Sequence, residues 1–213
     1  TDTEGEETEA ETTTEESTPT PASADQVQMG GELIATFGAD VKNFDPTKQN
    51  DTTSSKAFGL VYETLLATDF SGKPQNVLAK EFTQKDEDLM WRAVLKEGIK
   101  FHNGKELTAE DVKASFERYE GSPRESDVYD WYESSEVVDD YTLDIKLKTK
   151  YAPLKFSLGG VPIVPAEAAS GDLALKDDPV GTGAYTFDTH EPDNLFRIKR
   201  NEDEEHRLES EIA

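Results

Sequence analysis

The sequence predicts a chain that mixes helices and strands, and two stretches carry that reading. Leu95 to Tyr119 reads LKEGIKFHNGKELTAEDVKASFERY, a strand, a turn and a capped helix in succession. Glu136 to Lys148 reads as a hairpin, with Tyr141, Leu143, Ile145 and Leu147 alternating with Thr142, Asp144, Lys146 and Lys148 after a turn at Asp139-Asp140.

Within the first stretch, Ile99 and Phe101 flank Lys100 as on a half-buried strand. Asn103-Gly104 suits a two-residue turn in which both residues take positive φ. Thr108 is the expected helix N-cap, with Asp111 three residues on in the place a capping box gives to Glu. Asp111 and the adjacent Glu110 also suit the positive end of the helix. Val112, Phe116 and Tyr119 recur at helical spacing, and Gly121 and Pro123 stop the helix.

The other elements follow in chain order. Residues 1–29 are rich in Glu and Thr, and 1–28 hold too few apolar side chains to offset the entropy of ordering. They read as a disordered acidic segment, either a tether or an ordinary tail. Order is expected from Gly30-Gly31, with Leu33 to Phe37 as a short buried strand and Asp45-Pro46 closing the loop after it. Asn50-Asp51-Thr52 is a glycosylation sequon, of consequence only in an exported chain. Ser54 or Ser55 is expected to cap a helix through about Leu66, with Ala57, Leu60, Val61, Thr64 and Leu65 on its apolar side. Asp69 to Pro74 is a turn, and Trp91, Ala93 and Leu95 alternate along a strand. Tyr129, Trp131 and Tyr132 sit in a polar stretch, where they either line a ligand groove by stacking or anchor a loop. Pro153, Pro162 and Pro165 punctuate an irregular apolar segment. Pro179 to Ala184 is a glycine-bearing loop feeding a second hairpin, Tyr185 to Phe187 with Phe196 to Arg200.

Charge narrows the function classes. The formal net charge is −24, from 46 acidic and 22 basic residues. Residues 1–29 hold nine of the acids and no Lys or Arg, so the rest carries about −15. Such a surface repels phosphate, which argues against nucleic acid as a partner. It reads as adaptation to high salt, where self-repulsion is screened, or as an ordinary acidic protein. Cysteine is absent, so disulfides, thiol catalysis and zinc–thiolate sites are excluded within this sequence. No apolar run approaches the roughly 18–20 residues that span a bilayer.

Catalytic patterns are scarce. The three histidines, at 102, 190 and 206, form no pair at helical spacing and no H-E-x-x-H, so no metal site is expected. Gly181-Thr182-Gly183 lacks the third glycine of a dinucleotide loop and the Gly-Lys-Ser/Thr of a P-loop, leaving a turn-forming role. There is no G-x-S-x-G. Nothing supports an enzyme, and no cofactor is implied.

The combined landmarks resemble the extracellular solute-binding proteins of family 5, the dipeptide- and oligopeptide-capturing subunits of ABC importers. Leu95 to Tyr119 is similar to a segment common to that family. Gly30-Gly31-Glu32-Leu33 with Phe44-Asp45-Pro46 resembles its opening strand and loop, and Val61 to Leu66 with Asp69 and Gly72 its first helix and turn. Asp178 to Tyr185 and Arg200-Asn201 resemble its return to the core sheet. The acidic leader is similar to the tether that follows a lipidated cysteine in surface-anchored members, especially those of salt-loving microbes.

The resemblance implies a periplasmic-binding-protein-like type II α/β fold, with a mixed sheet and flanking helices. It implies a core-sheet subdomain from 30–46 and 172–213, with 47–171 inserted as a smaller subdomain. Family members are usually much longer and close two lobes around the ligand, so the resemblance implies the first lobe only, in a truncated or fragmentary member. The tail after Arg200-Asn201, Glu202-Asp203-Glu204-Glu205-His206-Arg207, departs from the family pattern. The implied function is capture of a peptide or related small solute at the cell surface for the importer's permease subunits, with a half-receptor sensory or interaction module as the alternative. Ligand contacts are expected from Asp40, Val41 and Asn43, on the loop before Asp45-Pro46, with Tyr129 and Trp131 as further aromatic candidates. Leu95 to Tyr119, the central stretch, is expected to be scaffold.

Overall fold

A computed structural model of the chain describes residues 33–35, 38–49, 51–85, 89–171 and 173–202. The chain divides into two units, 1–36 and 37–213. In the first unit the described residues are Leu33 to Ala35. They form no strand, and Leu33 and Ile34 are exposed, unlike the buried strand expected there. Extended backbone needs a ladder partner to become a strand, and none of the strand pairings includes these residues. The expected acidic tether, the sequon residue Asn50 and the charged tail beyond Glu202 lie outside the described residues.

The second unit begins with helix α1, Thr52–Val61. Asp51 caps it, accepting from the Ser54 amide, so the helix starts before the expected serine caps. It also ends earlier than Leu66. Tyr62 turns extended, the Val61 carbonyl accepts from the Gly183 amide, and Leu66–Thr68 becomes strand β1. β1 pairs antiparallel with β2, Pro74–Asn76, across the predicted Asp69 turn, where Gly72 takes φ +82°.

The main sheet has four antiparallel strands in the order β3–β4–β6–β5: Ala79–Gln84, Met90–Leu95, Thr142–Leu147 and Tyr132–Asp139. Between β4 and β6 lies the central stretch. Its expected strand shrinks to one bridge, Lys100 to Glu106, although Ile99 and Phe101 are buried as predicted. Of the turn pair only Gly104 takes positive φ (+83°); Asn103 instead accepts the Lys105 amide through its side-chain oxygen. Helix α2, Ala109–Glu117, follows Thr108 as predicted. Asp111 Oδ2 accepts the Thr108 amide at 2.9 Å, and Oδ1 holds Lys105 Nζ and the Ala166 amide. This carboxylate is fully buried, so its several donors are what make its burial tolerable.

The β5–β6 hairpin closes through Asp140-Tyr141, one residue later than expected. Leu143, Ile145 and Leu147 face the core as the alternation predicts, but Asp144 is also buried. It stands opposite Arg92 in the ladder, and Arg92 and Lys85 cover it with charged hydrogen bonds. The short helix α3 (Ser126–Tyr129) leads into β5, and α4 (Leu154–Ser157) and α5 (Glu167–Ser170) accompany the segment punctuated by Pro153, Pro162 and Pro165. The last hairpin pairs β7, Tyr185–Glu191, with β8, Leu195–Arg200. One large apolar cluster joins the main sheet, α2 and the 154–180 segment. A smaller one gathers Val41, Phe44 and Ala57 with Phe187 and Phe196.

Candidate functional site

The loop from Gly38 to Thr47 lies against α1 and the β7–β8 hairpin, and its sequence explains how it is fixed. Apolar and polar residues alternate in role: Val41 and Phe44 are buried, while Asp40, Asn43 and Asp45 fold back on the backbone. Asn43 Oδ1 accepts the Asp45 amide, and Asp45 Oδ1 accepts the amide and hydroxyl of Thr47. Short polar side chains make such local turns, which is why they recur before Pro46.

Long-range contacts hold both flanks. The Phe44 ring packs edge-on to Phe187 and His190, with centroids 5.4 and 5.3 Å away, and tilted against Phe196. The Phe44 amide donates to the Lys176 carbonyl, and its carbonyl accepts the Tyr62 hydroxyl. Burial, followed by the nearby Asp45 charge, pushes the Tyr62 phenol well above its ordinary range, so it stays a donor. Asp45 Oδ2 pairs with Arg118 at 2.9 Å in a largely buried bridge, and Arg124 donates to the Pro46 carbonyl. On the other flank, His190 Nε2 lies 2.9 Å from Asp40 Oδ1 and the Asp193 amide donates to Oδ2. The His190 bond, more than any other contact, holds the Asp40 carboxyl below the usual carboxylate range.

Between these anchors the backbone is unused apart from the Val41 amide, which donates to Asp40 Oδ1. Among the described residues the amides of Lys42 and Asn43 and the carbonyls of Val41, Lys42 and Asn43 meet no hydrogen-bond partner. Lys42 is exposed and Asn43 partly so. The result is a short ledge of open donors and acceptors on a loop fixed at both ends.

The central stretch holds the glycine-bearing loop at 181–183, beside the end of α1. The His102 amide donates to the Gly181 carbonyl, and its ring joins the Gly181 amide and the Gly183 carbonyl. Burial pushes the His102 imidazole down, toward the neutral form. The glycines have a steric reason: a Cβ on Gly181 would stand 2.1 Å from the Val61 carbonyl oxygen, and one on Gly183 2.7 Å from the Val61 carbonyl carbon. Thr182 bonds the Glu63 carboxylate, and Asn201 bonds the Gly183 carbonyl.

The structure thus brings Asp40, Val41 and Asn43 together on one loop. Tyr129 and Trp131 belong to the α3–β5 corner. Trp131 is fully buried, donates Nε1–H to the Asp127 carbonyl and meets Phe116 edge-on. Tyr129 is partly buried, with Lys148 over its ring and Tyr132 edge-on. Nothing in the sequence marks His190, Asp193, Tyr62, Arg118 and Lys176 as site residues, since each reaches the loop from a distant element. Among the described residues no group of three or more His, Cys, Asp or Glu side chains is placed to hold a metal ion. No described helix is long and apolar enough to cross a membrane.

Comparison with known proteins agrees with this architecture. Residues 73–206 match the family described as bacterial extracellular solute-binding proteins, family 5 middle. The glutathione-binding protein GsiB of Escherichia coli O1:K1 is 30% identical over 179 residues, 79% of this chain and 34% of that protein. GsiB of Salmonella paratyphi A matches equally, 30% over 179 residues, with 79% and 34% covered. The Helicobacter pylori binding protein DppA, solved with the peptide STSA, superposes with a TM-score of 0.69 at 27% identity, covering 78% of this chain and 38% of that one. The oligopeptide-binding protein AppA of Bacillus subtilis, solved with a nonapeptide, gives 0.67 at 25%, covering 76% and 34%. The chain spans about a third of the length of the curated relatives it matches.

Proposed function

Because the chain belongs to the extracellular solute-binding proteins of family 5, we propose that it takes part in capturing a peptide or related small solute outside the membrane for an ABC importer. Its contribution is the ledge from Val41 to Asn43. The observation that carries this reading is the unbonded backbone of Lys42 and Asn43, at least partly exposed on a loop anchored on both sides. A peptide offers a complementary row of donors and acceptors whatever its side chains, so a backbone ledge suits it. No bond is made or broken, and no catalytic group is called for. Asp40 shapes the ledge, buried Val41 anchors it, and Lys42 and Asn43 offer main-chain groups. The partly exposed Tyr129 ring is a second place for stacking, and buried Trp131 serves as its anchor.

In the same reading, 30–46 and 172–213 form the core-sheet subdomain and 47–171 the insertion. The apolar cluster joining Val41 and Phe44 to Phe187 and Phe196 supports the pairing of the two outer segments, with Ala57 of α1 packed into it from the insertion. Permease subunits are the transport partners. The acidic 1–29 stretch serves on its composition as a tether to a lipid anchor, and the net charge of −24 suits a salty exterior.

Thermal unfolding in molar salt, with and without the tetrapeptide Ser-Thr-Ser-Ala or glutathione, tests the function. Binding stabilises the fold as the logarithm of ligand concentration, by roughly 2.7 kcal/mol at a hundredfold excess over Kd, and so raises the midpoint. A cooperative transition that neither compound moves up to millimolar concentration contradicts it.

A further inference from the structure

We propose that His190 is a positioning residue for the ledge, acting through Asp40 as a latch between the β7–β8 hairpin and the loop. The proposal rests on the reading of 41–43 as a binding surface. Both oxygens of Asp40 are taken. An ionised carboxylate can only accept, so the His190 Nε2 that stands 2.9 Å from Oδ1 carries the proton and donates it. The Val41 amide donates to the same oxygen, at 2.9 Å. Oδ2 accepts the Asp193 amide at 3.0 Å.

Asp193 reaches that position at φ +58°, the one non-glycine residue with positive φ among the described residues. Asp tolerates this conformation better than most residues, yet it remains sparsely populated. The turn between β7 and β8 therefore holds an uncommon backbone geometry while aiming an amide at Asp40. The His190 ring is fixed in turn by its perpendicular contact with Phe44, at 5.3 Å and 90°. Asp40, His190 and Phe44 form a closed circuit: Phe44 orients the ring, the ring holds Asp40, and the backbone from Asp40 to Phe44 spans the ledge. Of the three residues between, Val41 spends its amide on Asp40, while the amides of Lys42 and Asn43 stay free of the anchoring. Asp40 is consequently not a charge offered to the solute. Its carboxylate is already bonded within the protein, and its role is to set the path of Val41, Lys42 and Asn43.

Two variants separate the latch from simple packing. His190→Phe keeps a flat ring against Phe44 but removes the donor; His190→Gln restores a donor at similar reach. Backbone 15N order parameters for Val41, Lys42 and Asn43 are measured in the whole 213-residue chain, together with affinity for Ser-Thr-Ser-Ala. The latch predicts that His190→Phe lowers the order parameters at 41–43 toward those of flexible backbone, below about 0.6, with the β3–β6 sheet unchanged. It predicts roughly tenfold weaker peptide binding, the scale of one charge-assisted hydrogen bond, and recovery of both by His190→Gln. Order parameters that stay at wild-type values in His190→Phe overturn the latch, whether or not the peptide binds. Loss of order that His190→Gln fails to restore also overturns it, since the donor would not be the cause. A wild-type chain that ignores the peptide fails the functional reading alone, while the order parameters still decide the latch.

Discussion

The carbonyl oxygen of Val61 sits 2.1 Å from where a Cβ on Gly181 would stand, closer than any side chain allows. This contact joins the end of α1 to the loop that returns the chain to β7, through the Gly183 amide bonded to the same carbonyl. The obstruction is backbone, which cannot swing aside. Gly181→Ala should therefore destabilise the fold by about 1–3 kcal/mol or more, as overpacking does. Gly160→Ala, where a Cβ meets open space, should change stability by less than about 0.5 kcal/mol. Urea denaturation of the two variants checks the contrast.

His102 binds the same loop and predicts a pH dependence. Burial lowers its folded pKa below the ordinary value of 6.5. The unfolded chain then takes up the proton first, so His102 favours folding above pH 6.5 and that advantage is lost as the pH falls toward its lower folded value. Unfolding free energy measured from pH 8 to 5 should decline on the acid side of 6.5, and His102→Gln should flatten that part of the curve.

Asp144 gives the acid arm. Hydrogen bonds from Arg92, and then Lys85, hold its carboxyl at about 2 against an ordinary 3.8. A lowered carboxyl favours folding above the unfolded pKa, so its contribution is full at neutral pH and lost between 3.8 and about 2. With both cations partly exposed and screened, we expect about 1–2 kcal/mol to disappear across that window. Asp144→Asn should remove that share of the acid-induced loss, read by guanidinium unfolding at pH 4 and pH 2.5.

Local chemistry made much of this fold legible. Thr108 with Asp111, the alternation of Leu143, Ile145 and Leu147, and Gly72 in the Asp69 turn each depend on neighbours within a few residues, and each appears as read. Readings failed where a distant element decided. The first helix stops at Val61 because Gly183, far along the chain, takes the Val61 carbonyl. Asp144 alternates as a surface residue but is buried because Arg92 lies opposite it in the register. The loop residues Asp40, Val41 and Asn43 could be named from the resemblance. What shapes that loop could not: His190 lies 150 positions from Asp40 in a hairpin that carries no motif.

A solute captured on the ledge must touch the main chain of Lys42 and Asn43. The most direct measurement follows the amide resonances of Lys42 and Asn43 by 15N NMR while Ser-Thr-Ser-Ala is titrated into the chain. Capture on the ledge makes these two amides shift together along one saturable curve, while the main-sheet amides of β4 and β6 stay in place. Saturable shifts elsewhere that leave Lys42 and Asn43 unmoved, or no saturable shift at all, would contradict it.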